Sequence, residues 1–312
     1  MKFRRFLLAL NLSVLLLTTA VLTHPAAAQG ADDSRVAELL AQGHEYLAKD
    51  RPKRAIRAFT EAVELSDRSS LAALNALART ALQSGDRPLA IDTAERLLEV
   101  ADAPGDRMIG FQILGTAHLE SRKGGREAHL TAATDAFRQA MALAAAADDA
   151  SGTAQYSLAM ALEEGGATDE ALELLRSFPY ETASGLLARP AREQFCKLRG
   201  PSTPEHLEPG PFDSTAEGVT PPVWPGAKTN DPSEPPPEAE GHVESYEMLL
   251  LIDRDGCVAE IDAVEGSSVP EWLLDSNADS AYLPALKDGQ PVAVHHVLSV
   301  KISTSVTFEP VR

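Results

Sequence analysis

The sequence predicts a multidomain protein, an all-α helical-repeat solenoid followed by a small α+β domain. Three observations predict it. Ala- and Leu-rich helical patterns recur between Asp32 and Gly200 with a period of roughly 34 residues. A proline-dense stretch then runs from Pro201 to Gly241. Beyond it lie two strand-forming runs, Leu249–Ile261 and Pro291–Ile302, the first broken by the turn Asp253-Arg254-Asp255-Gly256. A chain of 312 residues, 44% of them hydrophobic, has room for two modest domains and a linker.

At the start of the chain, Lys2, Arg4 and Arg5 precede the apolar run Phe6 to Leu22, and Ala26-Ala27-Ala28 offers small residues for cleavage before Gln29. That is the three-part build of a secretory signal peptide, expected to span residues 1–28. Asn11, Ser13, Thr18 and Thr19 dilute the run and His24-Pro25 ends it, which favours cleavage over retention as a membrane anchor. No later stretch is long and apolar enough to span a bilayer, so no membrane span is expected after cleavage. The expected location is outside the cytoplasm, in the periplasm, or secreted, or held at the inner membrane if the signal is kept.

Removing the signal takes the formal charge from 28 − 46 = −18 to 25 − 46 = −21. So acidic a surface repels phosphate backbones and anionic lipid heads, which argues against nucleic-acid and membrane-surface partners. Cys196 and Cys257 fall in different predicted domains. An oxidising compartment would permit a pairing that clamps the two together. Placed at a helix end and beside a hairpin turn, they are expected as two separate thiols, with no metal-ligand spacing.

In the helical half, the first unit carries Leu39, Gly43 and Tyr46, the turn Lys49-Asp50-Arg51-Pro52, then Ala55, Phe59 and Ala62. A small residue at Gly43 lets two antiparallel helices approach, while Tyr46 and Phe59 fill the space between them. The second unit keeps the spacing, with 55 − 43 = 12 and 90 − 78 = 12, through Ala78, Ala81, Ala90, Ala94 and Leu97 about the turn Ser84-Gly85-Asp86-Arg87-Pro88. In the third, Gly115, His118, Ala133, Phe137 and Ala140 are spread by an insertion near Arg122–Arg126, since 133 − 115 = 18. The fourth has Ala159, Leu162, Ala171 and Leu175 about Gly165-Gly166-Ala167, and Ala183 to Leu198 is expected to cap the stack. The small-aromatic-small-aromatic-small signature resembles the tetratricopeptide repeat over residues 32–200. The resemblance implies a curved stack with a concave groove that holds a peptide or a partner's helix. The candidate contact surface is the groove around Tyr46 and Phe59, but these aromatics are expected in the hairpin core rather than as contacts, so no binding residue is assigned.

Residues 201–241 are expected to form a semi-stiff linker, because dense proline removes backbone donors and biases its neighbours to extended conformations. Within it Val219–Trp224 is an apolar cluster expected to dock on a neighbouring domain. In residues 242–312 the strand ending Ile252-Asp253-Arg254-Asp255-Gly256-Cys257-Val258 and the later Leu283-Pro284-Ala285-Leu286-Lys287-Asp288-Gly289-Gln290-Pro291-Val292 resemble the TonB C-terminal domain family. The resemblance implies two strands, a helix and a final strand. The segment Pro270 to Ala281 departs from it, being short and lacking the family's Ala-rich helix and following aromatics. In the last run Val292, Val294, His296, Leu298, Val300 and Ile302 share one face, expected to be the core, and Ala293, His295, Val297, Ser299 and Lys301 the other.

No constellation for catalysis stands out, and no catalytic, cofactor-binding or metal residue is assigned. His295 and His296 point to opposite faces of a strand and so do not share an ion. Asp253-Arg254-Asp255-Gly256 opens like a calcium loop, but the later ligands are missing, which leaves a hairpin turn. The expected function is a non-enzymatic protein-binding scaffold of the bacterial cell envelope that requires no cofactor. Its partner is a protein or peptide, held in the helical groove or added as a strand to the terminal sheet, which could also pair in a homodimer. The alternative is a membrane-anchored, divergent TonB-like energy transducer or transport accessory protein.

Overall fold

The computed structural model describes residues 31–121, 124–146, 152–180, 182–183, 185–223, 242–278 and 280–304. The expected signal segment and most of the proline-dense stretch, including Trp224, lie outside the described residues. The chain divides into two compact units, Met1–Ser177 and Phe178–Arg312.

In the first unit, four helix hairpins follow one another among the described residues: α1 (Ala31–Ala48) with α2 (Pro52–Leu65), α3 (Leu71–Ser84) with α4 (Arg87–Val100), α5 (Pro104–Leu119) with α6 (Arg126–Ala146), and α7 (Thr153–Glu164) with α8 (Thr168–Arg176). The turns explain the boundaries. Pro52 opens α2, where a missing N–H costs nothing. Gly85 ends α3 in the left-handed conformation (φ 84°), and the Asp86 side chain then caps α4 by accepting from the Leu89 N–H at 3.3 Å.

The hairpins pack in the register legible in the sequence. A Cβ on Gly43 would overlap the Phe59 ring, and one on Gly115 would sit 2.7 Å from Phe137. Both rings are buried, each standing in place of the side chain that its glycine lacks. The second hairpin reaches the same closeness with Ala78, Ala90 and Ala94, all fully buried. The insertion in the third unit lies between α5 and α6, where the Arg126 guanidinium bonds the carbonyls of Leu119 (2.7 Å) and Ser121 (3.3 Å) at the end of α5. The first helices α1, α3, α5 and α7 touch one another in succession, and the second helices do so less. Such stacking curves the unit with its first helices on the inner face.

The second unit begins earlier than the sequence suggests. Its first helix, α9 (Gly185–Arg199), is the segment expected to cap the repeats, and the division at Ser177/Phe178 groups it with the sheets. Residues 201–223, expected as linker, form a 3-10 turn (Pro204–Leu207) and two short strands, β1 (Phe212–Asp213) and β2 (Val219–Thr220). Then come β3 (His242–Ile252), β4 (Val258–Ala263), α10 (Glu271–Ala278), β5 (Ala285–Lys287), β6 (Gln290–Val292) and β7 (Val294–Thr304). The order hairpin, helix, strand is thus present, with a helix at Glu271–Ala278 where the sequence is least typical.

Two sheets form rather than one three-stranded sheet. One has the order β1-β7-β3-β4 and the other β2-β5-β6. The last strand-forming run divides between them at Ala293: Val292 belongs to β6, and Val294 pairs with Ile252 of β3. Asp288 and Gly289, both at positive φ (52° and 76°), turn β5 into β6. Proline at the chain entry is accommodated because β1 and β2 are two-residue edge strands. Met248, Leu250, Ile252, Val292, Val294, Leu273 and Tyr282 form the core, with Leu298 and Val300 packed against it. His295 is exposed and His296 half-buried, as strand alternation requires.

Candidate interaction surfaces

On the helical unit, the candidate aromatics prove structural. Phe59 is fully buried, and Tyr46 is half-buried against the hydrophobic core, with the Arg54 guanidinium 5.9 Å from its ring centroid. The inner face is formed by other residues. Along α3, Leu74, Leu77, Ala78 and Ala81 face neighbouring helices, which leaves Ala72, Asn75, Arg79 and Gln83 as the accessible stripe. Arg79 is half-buried, and burial alone pushes its guanidinium pKa below the ordinary value. The Oδ1 atom of Asn75 is buried with no hydrogen-bond partner. On α5, Gln112 and Thr116 occupy the same places relative to Gly115 that Asn75 and Arg79 occupy relative to Ala78, and both are half-buried.

Elsewhere in this unit, His118 and His129 approach to 2.9 Å between their Nδ1 atoms. Burial, and then the neighbouring His129, lower the pKa of His118. Among the described residues no group of three or more His, Cys, Asp or Glu gathers as a metal site. A cleft of about 220 Å³ lined by Arg68, Asp92, Glu95, Arg96, Glu99 and Val100 is small and charged, unlike the apolar pockets that hold cofactors.

In the second unit, the Asp253-Arg254-Asp255-Gly256 turn is anchored through its first carboxylate. One carboxylate oxygen of Asp253 accepts from the backbone N–H groups of Asp255 (2.9 Å) and Cys257 (3.0 Å). The other accepts from Arg199 (2.6 Å) and from the Ser202 hydroxyl. Asp253 is fully buried, so the guanidinium supplies the charge that burial demands. Arg199 also reaches Asp255 at 3.0 Å.

Cys196 and Cys257 form a disulfide across this junction, with a Cα–Cα distance of 5.6 Å. The expectation of two separate thiols is therefore corrected. Sequence placed the two in different domains, whereas α9 belongs to the sheet unit and lies against the hairpin turn. Arg192, almost fully buried, completes the seam by donating from Nε to the Tyr282 carbonyl (3.0 Å) and lying over the Phe195 ring at 4.9 Å. Gly256 is needed twice over, since its φ is 80° and any Cβ would strike the Tyr282 carbonyl.

Among the described residues the larger sheet keeps two open backbone edges. β1 covers β7 only at Val294 and His295, where the Phe212 and Ser214 N–H groups donate to the carbonyls of Ala293 (2.9 Å) and His295 (3.0 Å). The ladder alternates, so the backbone groups of Val297, Ser299, Lys301 and Ser303 face outward from β7 with no strand beside them among the described residues. β4 forms the opposite edge. On the sheet face away from the core, Leu249 and Val297 are cross-strand partners and both are exposed.

His296 lies within 3.1 Å of the Ser214 hydroxyl through Nδ1, and burial pushes its pKa down. No helix among the described residues is long and apolar enough to cross a membrane.

No protein-family profile matches the sequence, and no curated protein does. Among solved structures, the chain is similar to TTC0263, described as a thermophilic TPR protein in Thermus thermophilus (19% identity, TM-score 0.40), over 52% of this chain and 80% of that one. It is similar to MamA at 22% identity and a TM-score of 0.38, over 50% of this chain and 92% of that one. The described residues form a unit of stacked helix hairpins followed by a small sheet-bearing unit.

Proposed function

We propose that this protein is an exported, non-enzymatic scaffold of the bacterial cell envelope that binds protein or peptide partners. The observation that carries this reading is the stack of helix hairpins with its first helices on the inner face, since that arrangement offers an extended surface rather than a pocket. The packing of Gly43 under Phe59 and of Gly115 under Phe137 supports reading the stack as tetratricopeptide-like. A disulfide in the sheet unit supports an oxidising compartment, and hence removal of residues 1–28 as a signal. The hairpin–helix–strand order with Asp-Gly turns supports a TonB C-terminal-like module whose free β7 and β4 edges accept an added strand.

The test is crosslinking and mass spectrometry on the envelope fraction, with the full chain and a chain ending at Ser177. Partners that persist on truncation map to the helical stack, and partners that vanish map to the sheet unit. Absence of specific partners for both forms would sink the scaffold reading. A purified protein that retains residues 1–28 would instead favour the anchored transducer.

A further inference from the structure

We propose that His118 and His129 form a two-imidazole site for a zinc(II)-type dication at the inserted turn of the third hairpin. The inference is independent of the partner-binding reading and concerns a different chemistry.

The insertion builds the pair. The first two hairpins turn within a few residues, from Ala48 to Pro52 and from Ser84 to Arg87, whereas α5 ends at Leu119 and α6 starts at Arg126. His118, in the last turn of α5, stands three residues after Gly115, as Tyr46 stands three after Gly43. A histidine thus takes the place that the first unit gives to a ring packed on its core. His129 lies in the first turn of α6, where its N–H donates to the Gly125 carbonyl at 3.3 Å. Both imidazoles are half-buried, so each is held by its surroundings and still reached by solvent. Arg126 is paired with Glu164, which offsets its charge beside the site.

Distances decide the ligand. The Nδ1 atoms meet at 2.9 Å, a hydrogen bond between the rings and too close for an ion on the line joining them. The ring centroids are 5.2 Å apart. With a zinc–nitrogen distance of about 2.0–2.1 Å, an ion lies about 3.2 Å from each centroid, and a tetrahedral angle then separates the centroids by about 5.2 Å. The two helices therefore already hold the rings at the spacing of two ligands on one tetrahedral ion. Each ring has to swivel by about 35° to aim Nδ1 at an ion beside that line. The ring that carries its proton on Nδ1 moves it to Nε2 by exchange with water, so two neutral imidazoles bind without net proton release. Burial, and then His129, hold the His118 pKa below its ordinary value, which keeps that ring neutral near pH 7. Two positions on the ion stay open to water. Calcium and magnesium, which require several oxygen ligands, do not suit the pair. A bound ion joins the last turn of α5 to the first turn of α6 and clasps the inserted turn.

The experiment titrates the purified full chain with zinc chloride by calorimetry in a non-coordinating buffer near neutral pH, with calcium and magnesium chlorides as controls. One zinc should bind per chain, the controls should not, and zinc should raise the melting temperature of the helical signal. His118→Tyr, which restores the ring of the first unit, and His129→Gln should each weaken zinc binding roughly tenfold or more, while His295→Gln should leave it unchanged. Zinc-free melts followed by circular dichroism establish that each variant keeps its fold. In the wild type, the imidazole NMR signals of two of the eight histidines should move together on addition of zinc, a readout that needs no variant. Zinc binding no stronger than that of calcium, a site unchanged in both His118→Tyr and His129→Gln, or imidazole signals that stay in place would overturn the proposal and leave the contact a plain hydrogen bond.

Discussion

Breaking the Cys196–Cys257 bond should destabilise the sheet unit while leaving the helical unit unchanged. The bond closes a sequence separation of 61 residues. In the chain-entropy account, a loop of that length removes about 4 kcal/mol of disorder from the unfolded state. The second unit runs from Phe178 to Arg312, 312 − 178 + 1 = 135 residues. At roughly 2.1 cal/mol/K per residue, its melting entropy makes that loss about 15 °C in Tm, and about 7 °C if only half is realised.

The two units have separate probes, because both tryptophans, Trp224 and Trp272, fall in the second while most helix lies in the first. Tryptophan fluorescence should therefore show the transition moving down under reductant or in the Cys196→Ala/Cys257→Ala double variant. The far-ultraviolet helical signal should keep its main transition. Two titratable thiols in the native, unreduced protein would refute the reasoning. So would a fluorescence transition that does not move.

Other outcomes follow from the same geometry. Arg199→Met should cost the sheet unit about 3–5 kcal/mol, because it leaves the buried Asp253 carboxylate unpaired; the check is guanidinium denaturation followed by fluorescence, and a cost under about 1 kcal/mol would show the pair to be dispensable. Gly115→Ala, which would ordinarily favour a helix, should instead destabilise the first unit by about 1–3 kcal/mol as its Cβ meets the Phe137 ring, measured by the helical melt. Phe59→Ala should cost about 3–5 kcal/mol in the same melt through the cavity it opens. The folded-state pKa of His296 is depressed, so the folded protein binds fewer protons than the unfolded chain. Its contribution to stability is complete above the ordinary histidine value of about 6.5 and is lost as pH falls below it. Stability of the sheet unit should therefore fall between about pH 7 and 5 with a steeper slope than in His296→Gln; parallel profiles would remove His296 from the account.

Much of the helical unit was legible because its signals are local. Gly43 and Phe59, or Gly115 and Phe137, meet across a hairpin only a few turns long, so spacing alone states which small residue receives which ring. The sheet alternation was legible for the same reason: Val294 in the core, His295 out and His296 in follow from the two-residue period of a strand. The groove was less legible. Aromatic residues drew attention to Tyr46 and Phe59, but a large apolar side chain in a repeat serves the core first, and the residues left on the inner face are the plainer Asn75, Arg79 and Gln112. The half-burial of an unpaired arginine is a property of its surroundings, and the letters of α3 do not carry it.

The sequence by itself determined that this chain has a helical-repeat part and a strand-bearing part, because each element's periodicity is written within a dozen or so neighbouring residues. It also placed the hairpin turns, since Gly85, Gly256 and Gly289 hold backbone angles that other residues resist. Only the tertiary structure decided where one part ends and the next begins. Phe178–Arg199 has the helical pattern of the repeats, yet Arg199 reaching Asp253, Arg192 reaching Tyr282 and Cys196 bonded to Cys257 assign it to the sheet. Those partners lie 54 to 90 positions away in sequence. Helical periodicity records which face of a segment is buried, and it does not record what that face is buried against.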